Sequence, residues 1–390
     1  MNRTERPCSL CFVAQFAYGA LTGGKTGFVG GIEWQQSLMG RWFAEQGYQV
    51  SMLTWDEGQP DGVEIDGVRV YKICRADEGR RGLRFFHPRW TGLVRAMQRA
   101  NADLYYQNCG EYVTGQVAAW CRRHGRRFVY SVASDPDCDP SLPAMRTVRE
   151  RVLYRYGLRR ADRVIAQTQR QQRMLREGFH LSSAVIPMPC PGPSDTEYIP
   201  PDPPLPESPR IVWVGRVAEV KRPQLLVDLA EAMPDVTFEL IGPASAGDFS
   251  DRVLRRAAGL ANIVVRGRVA RDAMPECYRH AALLCCTSAY EGLPNTFLEA
   301  WSHGVPTVST FDPGDLIQRH ELGAVATDVP GLAAAIRALI GSSERWRRAS
   351  ANARRYYVEN HTVASVMPRF ERVFTEALGI PAKRDRTARA

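Results

Sequence analysis

Lysine is nearly absent from this chain: of 51 basic residues only Lys25, Lys72, Lys221 and Lys383 are lysines, the rest arginines. A lysine at a particular place is therefore not a routine draw from the composition. Long apolar runs are missing too, none reaching the roughly 18 residues that a membrane-spanning helix needs. The N-terminus lacks the basic-then-apolar pattern of a secretory signal, so a cytoplasmic protein is expected. Ten cysteines and seven histidines are present but never gather at metal-ligand spacing. Cys8-Ser-Leu-Cys11 is a lone C-x-x-C on an apolar segment, and Cys285 and Cys286 sit side by side in another. Both read as reduced, buried cysteines, with no metal expected. The net charge of +9 comes without any nucleic-acid-binding motif, so nucleic acid is not expected as a partner.

What is present points to two domains. A chain of 390 residues exceeds one ordinary core and suits two of about 150 to 200 residues each. Its 44% hydrophobic and 24% charged residues are those of a globular protein. Apolar strands are expected at Ser9 to Phe16, Gln49 to Thr54, Asp103 to Tyr106, Phe128 to Ala133, Arg163 to Gln167 and Ala184 to Pro187. Gly31 to Gln46 has helical periodicity, and Val63 to Ile73 reads as a hairpin about Asp66-Gly67. The second half repeats the alternation from Ile211, Thr237, Asn262, Leu283 and Pro306. Such alternation predicts an α/β protein with two parallel sheets, each covered by helices on both faces. The proline-rich stretch at 191–209 is too broken for helix or central strand and reads as a semi-rigid linker. Ligands of open parallel sheets bind outside the carboxyl ends of the strands, so the site is expected in a cleft between two facing domains.

The richest stretch is Glu291-Gly-Leu-Pro-Asn-Thr-Phe-Leu-Glu299, two carboxylates eight residues apart around a helix start. Pro294 fits a first helical turn, leaving the Asn295 and Thr296 amides at the positive end of the helix dipole, where phosphate binds. Glu291 before the helix and Glu299 more than a turn into it flank that position as hydroxyl acceptors. Upstream, Ile211-Val-Trp-Val-Gly215-Arg216 reads as a buried strand ending in glycine, with Lys221 before a helix from Pro223 to Met233. An ammonium beside a planar guanidinium suits a diphosphate. Gly23 to Gly31 holds five glycines in nine residues, among them Gly30 and Gly31, and leads into a helix; it fits neither a Walker loop nor G-x-G-x-x-G. It reads equally as a phosphate loop or a flexible surface turn.

Gly215-Arg216 with Lys221, then Asn262 to Gly267, Thr287-Ser288 and Glu291 to Glu299, resembles glycosyltransferase family 4, most strongly from about Arg210 to Ser309. The resemblance implies a GT-B architecture of two Rossmann-like, doubly wound domains. The first, at 1–190, would bind acceptor, joined by a crossover helix at 356–378; the second, at 210–355, would bind nucleotide sugar; 379–390 would be a basic, disordered tail. It implies a retaining, metal-independent hexosyltransferase that needs no cofactor. Its donor is a nucleoside diphosphate sugar, UDP- or GDP-linked, and its acceptor a glycan or a lipid-linked molecule in cell-surface polysaccharide or glycoconjugate synthesis. Glu291, Arg216 and Lys221 would be catalytic. Gly30, Gly31, Gly215, Gly267, Gly292, Asn295, Thr296 and Glu299 would join them around the donor, with Glu299 on the ribose.

One departure stands out. Family members often carry a histidine after the strand that here reads Phe128 to Ala133, and this chain has Ser134-Asp135. Either these two orient the sugar, or the protein is a catalytically silent binder of nucleotide sugars or partners. Asp135, Asp137 and Asp139 crowd into five residues, which reads as an acidic turn rather than a metal site. Arg80 to Trp90 and Arg146 to Arg176 are strongly basic, with aromatic or apolar stems. They read either as a surface for anionic membrane at its inner face or as the mark of an arginine-rich composition.

Overall fold

β-branched and aromatic residues build the first sheet along strands β1 (Ser9–Val13), β2 (Gln49–Thr54), β3 (Val63–Ile65), β4 (Val68–Lys72), β5 (Leu104–Asn108), β6 (Arg127–Ser131), β7 (Arg163–Ala166) and β8 (Ala184–Val185). The computed structural model describes residues 8–24, 30–203 and 209–380. The strands lie in the order β3-β4-β2-β1-β5-β6-β7-β8, parallel except for β3. Order therefore reverses between β1 and β5, the switch point at which an open sheet offers a crevice. Asp66 and Gly67 both take positive φ, 48° and 77°, as the tight turn of the β3–β4 hairpin demands.

Helix α1 (Gly31–Glu45) follows β1, α2 (Tyr112–Arg123) follows β5 and α3 (Val148–Arg160) precedes β7. Two glycines let α2 and α3 touch backbone to backbone. A Cβ on Gly115 would lie 2.3 Å from the Leu153 carbonyl oxygen, and one on Gly157 would lie 2.5 Å from Thr114. The core beneath is aromatic: Phe43 stacks on Phe374 at 5.0 Å between centroids, and Tyr106 meets Phe374 at 5.3 Å.

The second sheet comprises β9 (Arg210–Val214), β10 (Thr237–Ile241), β11 (Ile263–Gly267), β12 (Leu283–Cys286), β13 (Thr307–Ser309) and β14 (Gly323–Val325), ordered β11-β10-β9-β12-β13-β14 and wholly parallel. Its switch point lies between β9 and β12. Helices α4 (Gln224–Ala232) and α5 (Asn295–Ser302) follow β9 and β12, and α6 (Ser343–Asn360) and α7 (Val363–Leu378) complete the chain's described part. The chain divides into two compact units, Met1–Met188 with Val366–Ala390, and Pro189–Ser365.

The differences from the sequence reading lie mostly at helix boundaries. The helix expected over 356–378 is two helices. Thr362 breaks the run, its Oγ1 accepting from the Ser365 amide at 3.2 Å, so Tyr356 belongs to α6 and Val363 begins α7. The described part of the stretch at 191–209 is anchored to its own unit by side-chain contacts. Arg354 donates to Pro193 O at 3.1 Å and Asp195 Oδ1 at 2.8 Å and lies over the Tyr198 ring at 4.3 Å, while Tyr357 donates to Cys190 O at 2.8 Å. Pro294 stands one place outside its helix, with ψ 135°, and α5 starts at Asn295. Strand β14 escaped the sequence reading because three residues carry no period. Lys25 to Val29 of the glycine-rich loop and the basic tail from 381 lie outside the described residues.

Candidate functional site

At the carboxyl edge of the second sheet, β9 ends at Val214 and runs into Gly215-Arg216, β11 ends at Gly267, and β12 runs into Thr287-Ser288. Trp213 is buried and its indole needs an acceptor, which Thr287 Oγ1 supplies at 2.9 Å. The Thr287 hydroxyl in turn donates to Lys221 O at 2.8 Å. Arg222, at φ 46° after the short turn Glu219–Lys221, forks onto the carbonyls of Thr287 at 2.7 Å and Ser288 at 2.9 Å. This lattice presents the Lys221 ammonium to Glu291 Oε1 at 2.6 Å, and the Ser288 hydroxyl donates to the same oxygen at 2.5 Å. The rare lysine is thus held by three elements at the β9–β12 switch point. Arg216 is exposed at the same edge, following Gly215.

Glu291 and Gly292 lead into α5, headed by the amides of Asn295 and Thr296. On the fifth residue of that helix, Glu299 takes Arg271 Nη2 at 2.7 Å on one oxygen and the Tyr278 hydroxyl at 2.8 Å on the other. Burial, then the charge of Glu299, pushes the Tyr278 phenol far above its ordinary range, so it remains a donor. The His303 imidazole, beside the Glu299 carbonyl, is pushed down by burial and is neutral near pH 7. The structure brings Lys221, Glu291, Ser288 and the start of α5 together, and gives Glu299 a separate anchorage. Ser288 lies in the Thr287-Ser288 pair that carried the resemblance, whereas Arg222, Arg271 and Tyr278 were not singled out from sequence. Adjacency to Lys221 was the one signal for Arg222, and nothing in the spacing marked Arg271 or Tyr278.

Ser134, Asp135, Gly30 and Gly31 belong to the first unit. Gly30 is the extended N-cap of α1 and Gly31 its first residue. Ser134 caps a single turn, Asp135–Cys138, in a reciprocal box with Asp137, and Asp135 pairs with Arg170 at 3.0 Å. The three aspartates go separate ways: Asp137 accepts from Ala133 N at 3.1 Å and Ser134 N at 3.3 Å, and Asp139 from Ser141 N at 2.8 Å. Among the described residues no cluster of three or more His, Cys, Asp or Glu is placed to hold a metal.

At the carboxyl ends of β1, β2 and β5 lies a cavity of about 440 Å³, lined by Phe16, Trp55, Arg89, Glu111, Tyr112 and Arg146 among others. Glu111 caps α2, and burial, reinforced by the charges of Glu33, Asp137 and Glu150, raises its carboxyl to about 7. Burial also raises Asp137, against the backbone amides that favour its charge. Around this edge several buried polar atoms have no hydrogen-bond partner among the described residues: both amide atoms of Asn108, Gln107 Oε1, Gln36 Oε1 and the Trp55 indole nitrogen. The cavity lining offers aromatic faces and two arginines to a polar ligand.

The chain matches two family profiles, one per sheet: "Glycosyl transferase 4-like domain" over residues 30–189 and "Glycosyl transferases group 1" over 208–342. It is 28% identical over 325 residues to a D-inositol 3-phosphate glycosyltransferase of Nocardiopsis dassonvillei, covering 73% of this chain and 74% of that one. A mannosylfructose-phosphate synthase of Agrobacterium fabrum is 30% identical over 190 residues, 43% of this chain and 41% of the relative. Among solved structures, the sucrose-phosphate synthase of Thermosynechococcus elongatus superposes with a TM-score of 0.76 at 18% identity, over 95% of this chain and 99% of that one, a likeness of fold. No helix among the described residues is long and apolar enough to cross a membrane. With both sheets matched, a carboxyl-edge cluster built on the expected motif residues, and relatives that are glycosyltransferases, the chain belongs to the family-4, group 1 glycosyltransferases of GT-B fold.

Proposed function

We propose that the protein is a retaining, metal-independent glycosyltransferase whose donor is a UDP- or GDP-linked sugar. The observation that carries this reading is the Lys221–Glu291–Ser288 cluster at the head of α5. Lys221, Arg216 and the amides of Asn295 and Thr296 stabilise charge growing on the leaving diphosphate, work that a metal ion performs in other sites. Preorganisation makes this effective, because Arg222, Thr287 and Trp213 fix the lysine's backbone before any ligand arrives. Glu291 uses Oε1 for Lys221 and Ser288, so Oε2 faces the donor sugar hydroxyls. Glu299, with Arg271 and Tyr278 behind it, accepts from the ribose. Gly30, Gly31, Gly215, Gly267 and Gly292 let backbone approach the donor. A leaving-phosphate oxygen takes the acceptor proton as the new bond forms on the same face. Ser134 and Asp135 orient the sugar in place of the family's histidine.

The acceptor is a glycan or lipid-linked molecule of cell-surface polysaccharide or glycoconjugate synthesis, met in the cytoplasm at the inner face of the membrane. Two relatives are named for phosphate-bearing molecules, and Arg89 and Arg146 beside the unit-one cavity suit an acceptor that carries phosphate. Ser134-Asp135 in place of histidine favours a second reading, a silent binder of nucleotide sugars.

Thermal denaturation against UDP, GDP, ADP, TDP, CMP and their sugar conjugates, with chelator and with magnesium, tests the donor site. A ligand at about 100 times its Kd adds about 2.7 kcal/mol of stability. A metal-independent shift with one nucleotide, lost on Glu299→Ala, is the expected result. No shift with any nucleotide rejects the donor site, and a shift without turnover over any acceptor favours the silent binder.

A further inference from the structure

Four large apolar side chains in two neighbouring elements of the first unit stand in solvent: Leu83 is 63% exposed, Phe86 56%, Val148 75% and Val152 56%. Val148 and Val152 are one turn apart on α3 and share a face. Leu83 and Phe86 belong to the turn and helical segment Phe85–Trp90 that precede the next helix. The two elements are joined: the Arg149 guanidinium of α3 lies 3.9 Å from the centroid of Phe85. Isolated exposed apolar residues need no cause, but here four stand on two elements that meet where Arg149 lies over Phe85, and that concentration calls for one.

The charge around the patch has one sign. Residues 80–90 and 146–160 hold ten arginines against a single glutamate, Glu150. Arg80, Arg81, Arg84 and Arg149 are exposed, and none forms an ion pair among the described residues. Glu150 is spent locally, accepting from the Arg146 and Thr147 amides at 3.0 Å each. Aliphatic tips amid unpaired guanidinium groups complement one kind of surface in two ways at once: the acyl boundary takes the apolar tips and anionic headgroups take the charge. A nucleic-acid backbone would use the arginines and leave Leu83, Val148 and Val152 without a role.

We propose that this face, Arg80 to Trp90 together with the Val148–Val152 face of α3, docks on an anionic lipid bilayer. The cavity of this unit is lined beside both elements, by Arg89 of the first, by Glu150 of α3 and by Arg146 just before it. An acceptor carried on a lipid headgroup therefore meets the cavity from the docked surface. That last step rests on the transferase reading; the docking does not.

The test is flotation of the full chain with extruded vesicles, one set of phosphatidylcholine alone and one with about 30% phosphatidylglycerol, in about 0.1 M and about 1 M salt. Binding to the anionic vesicles at least about tenfold stronger than to the neutral ones, and weakened by salt, is expected. Leu83→Ser with Phe86→Ser, and separately Val148→Ser with Val152→Ser, keep every arginine and should each lower that binding about fivefold or more. Because Phe86 stacks on Trp90 at 6.4 Å, the α3 pair serves as the variant that leaves the aromatic cluster alone. Absence of binding to anionic vesicles overturns the proposal. So does binding that neither apolar pair changes, with equal retention on duplex DNA, which would mark a plain polycation. Vesicle binding in a protein that shows no nucleotide-induced thermal shift would leave the docking intact and reject the transferase reading instead.

Discussion

The carboxyl edges of the two sheets are built to opposite specifications. In the second unit nearly every polar group of interest has a protein partner: Trp213 on Thr287, Thr287 on Lys221, Arg222 on two carbonyls, Lys221 and Ser288 on Glu291, Arg271 and Tyr278 on Glu299. In the first unit Asn108, Gln107, Gln36 and Trp55 carry buried polar atoms with no partner among the described residues, beside the raised carboxyl of Glu111. A buried polar group left unpaired costs stability, so such a set persists where something other than stability maintains it. The contrast teaches a division of labour. On the proposed reading, the second edge is held by protein partners before its ligand comes, as charge stabilisation of a leaving group requires, while the first keeps unpaired polar groups beneath its cavity edge.

The largest effect expected is on turnover. Lys221→Ala removes one preorganised positive charge and should lower kcat by about 10²- to 10³-fold, roughly 3 to 4 kcal/mol, with a smaller change in KM; steady-state kinetics with the identified donor checks this. Next comes the acid cluster of the first edge. The Glu111 carboxyl lies near 4.5 in the unfolded chain and about 7 in the fold, so the fold binds the proton more tightly and loses stability as pH rises from one value to the other. Above pH 7 that loss is on the order of 3 kcal/mol. Glu111→Gln, which keeps an oxygen to cap α2, should melt higher than the wild type above pH 7, with the gap closing toward pH 4.5.

A matched pair of smaller effects sharpens the contrast. Thr287→Val leaves the Trp213 indole and the Lys221 carbonyl unpaired and should cost about 1 to 3 kcal/mol in denaturant unfolding. Asn108→Leu removes an amide that has no partner among the described residues and should be neutral or slightly stabilising, within about 1 kcal/mol, while lowering acceptor turnover. Similar costs for the two would break the comparison.

The alternation of apolar strands and helices was legible because buried parallel strands must be apolar and bounded by breakers, and the hairpin because Asp66-Gly67 can supply two positive φ angles. Lys221 was legible through the rarity of lysine and Glu291 through its place before a proline. Arg271 and Tyr278 were not, since they reach Glu299 from another strand-helix unit, a proximity the fold creates and no spacing announces. Nor did sequence show that Ser134 would be a cap and Asp135 the partner of Arg170, or that Glu111 would be buried among acids. Local chemistry is written in order along the chain, and long-range pairing is not.

Calorimetric titration of the nucleoside diphosphate selected by thermal shift, into wild type, Glu299→Ala and Asn108→Leu, tests the division most directly. The account predicts that Glu299→Ala weakens binding at least about tenfold, about 1.4 kcal/mol, while Asn108→Leu stays within about twofold of wild type. Equal losses in both variants, or an unchanged affinity on Glu299→Ala, would contradict it.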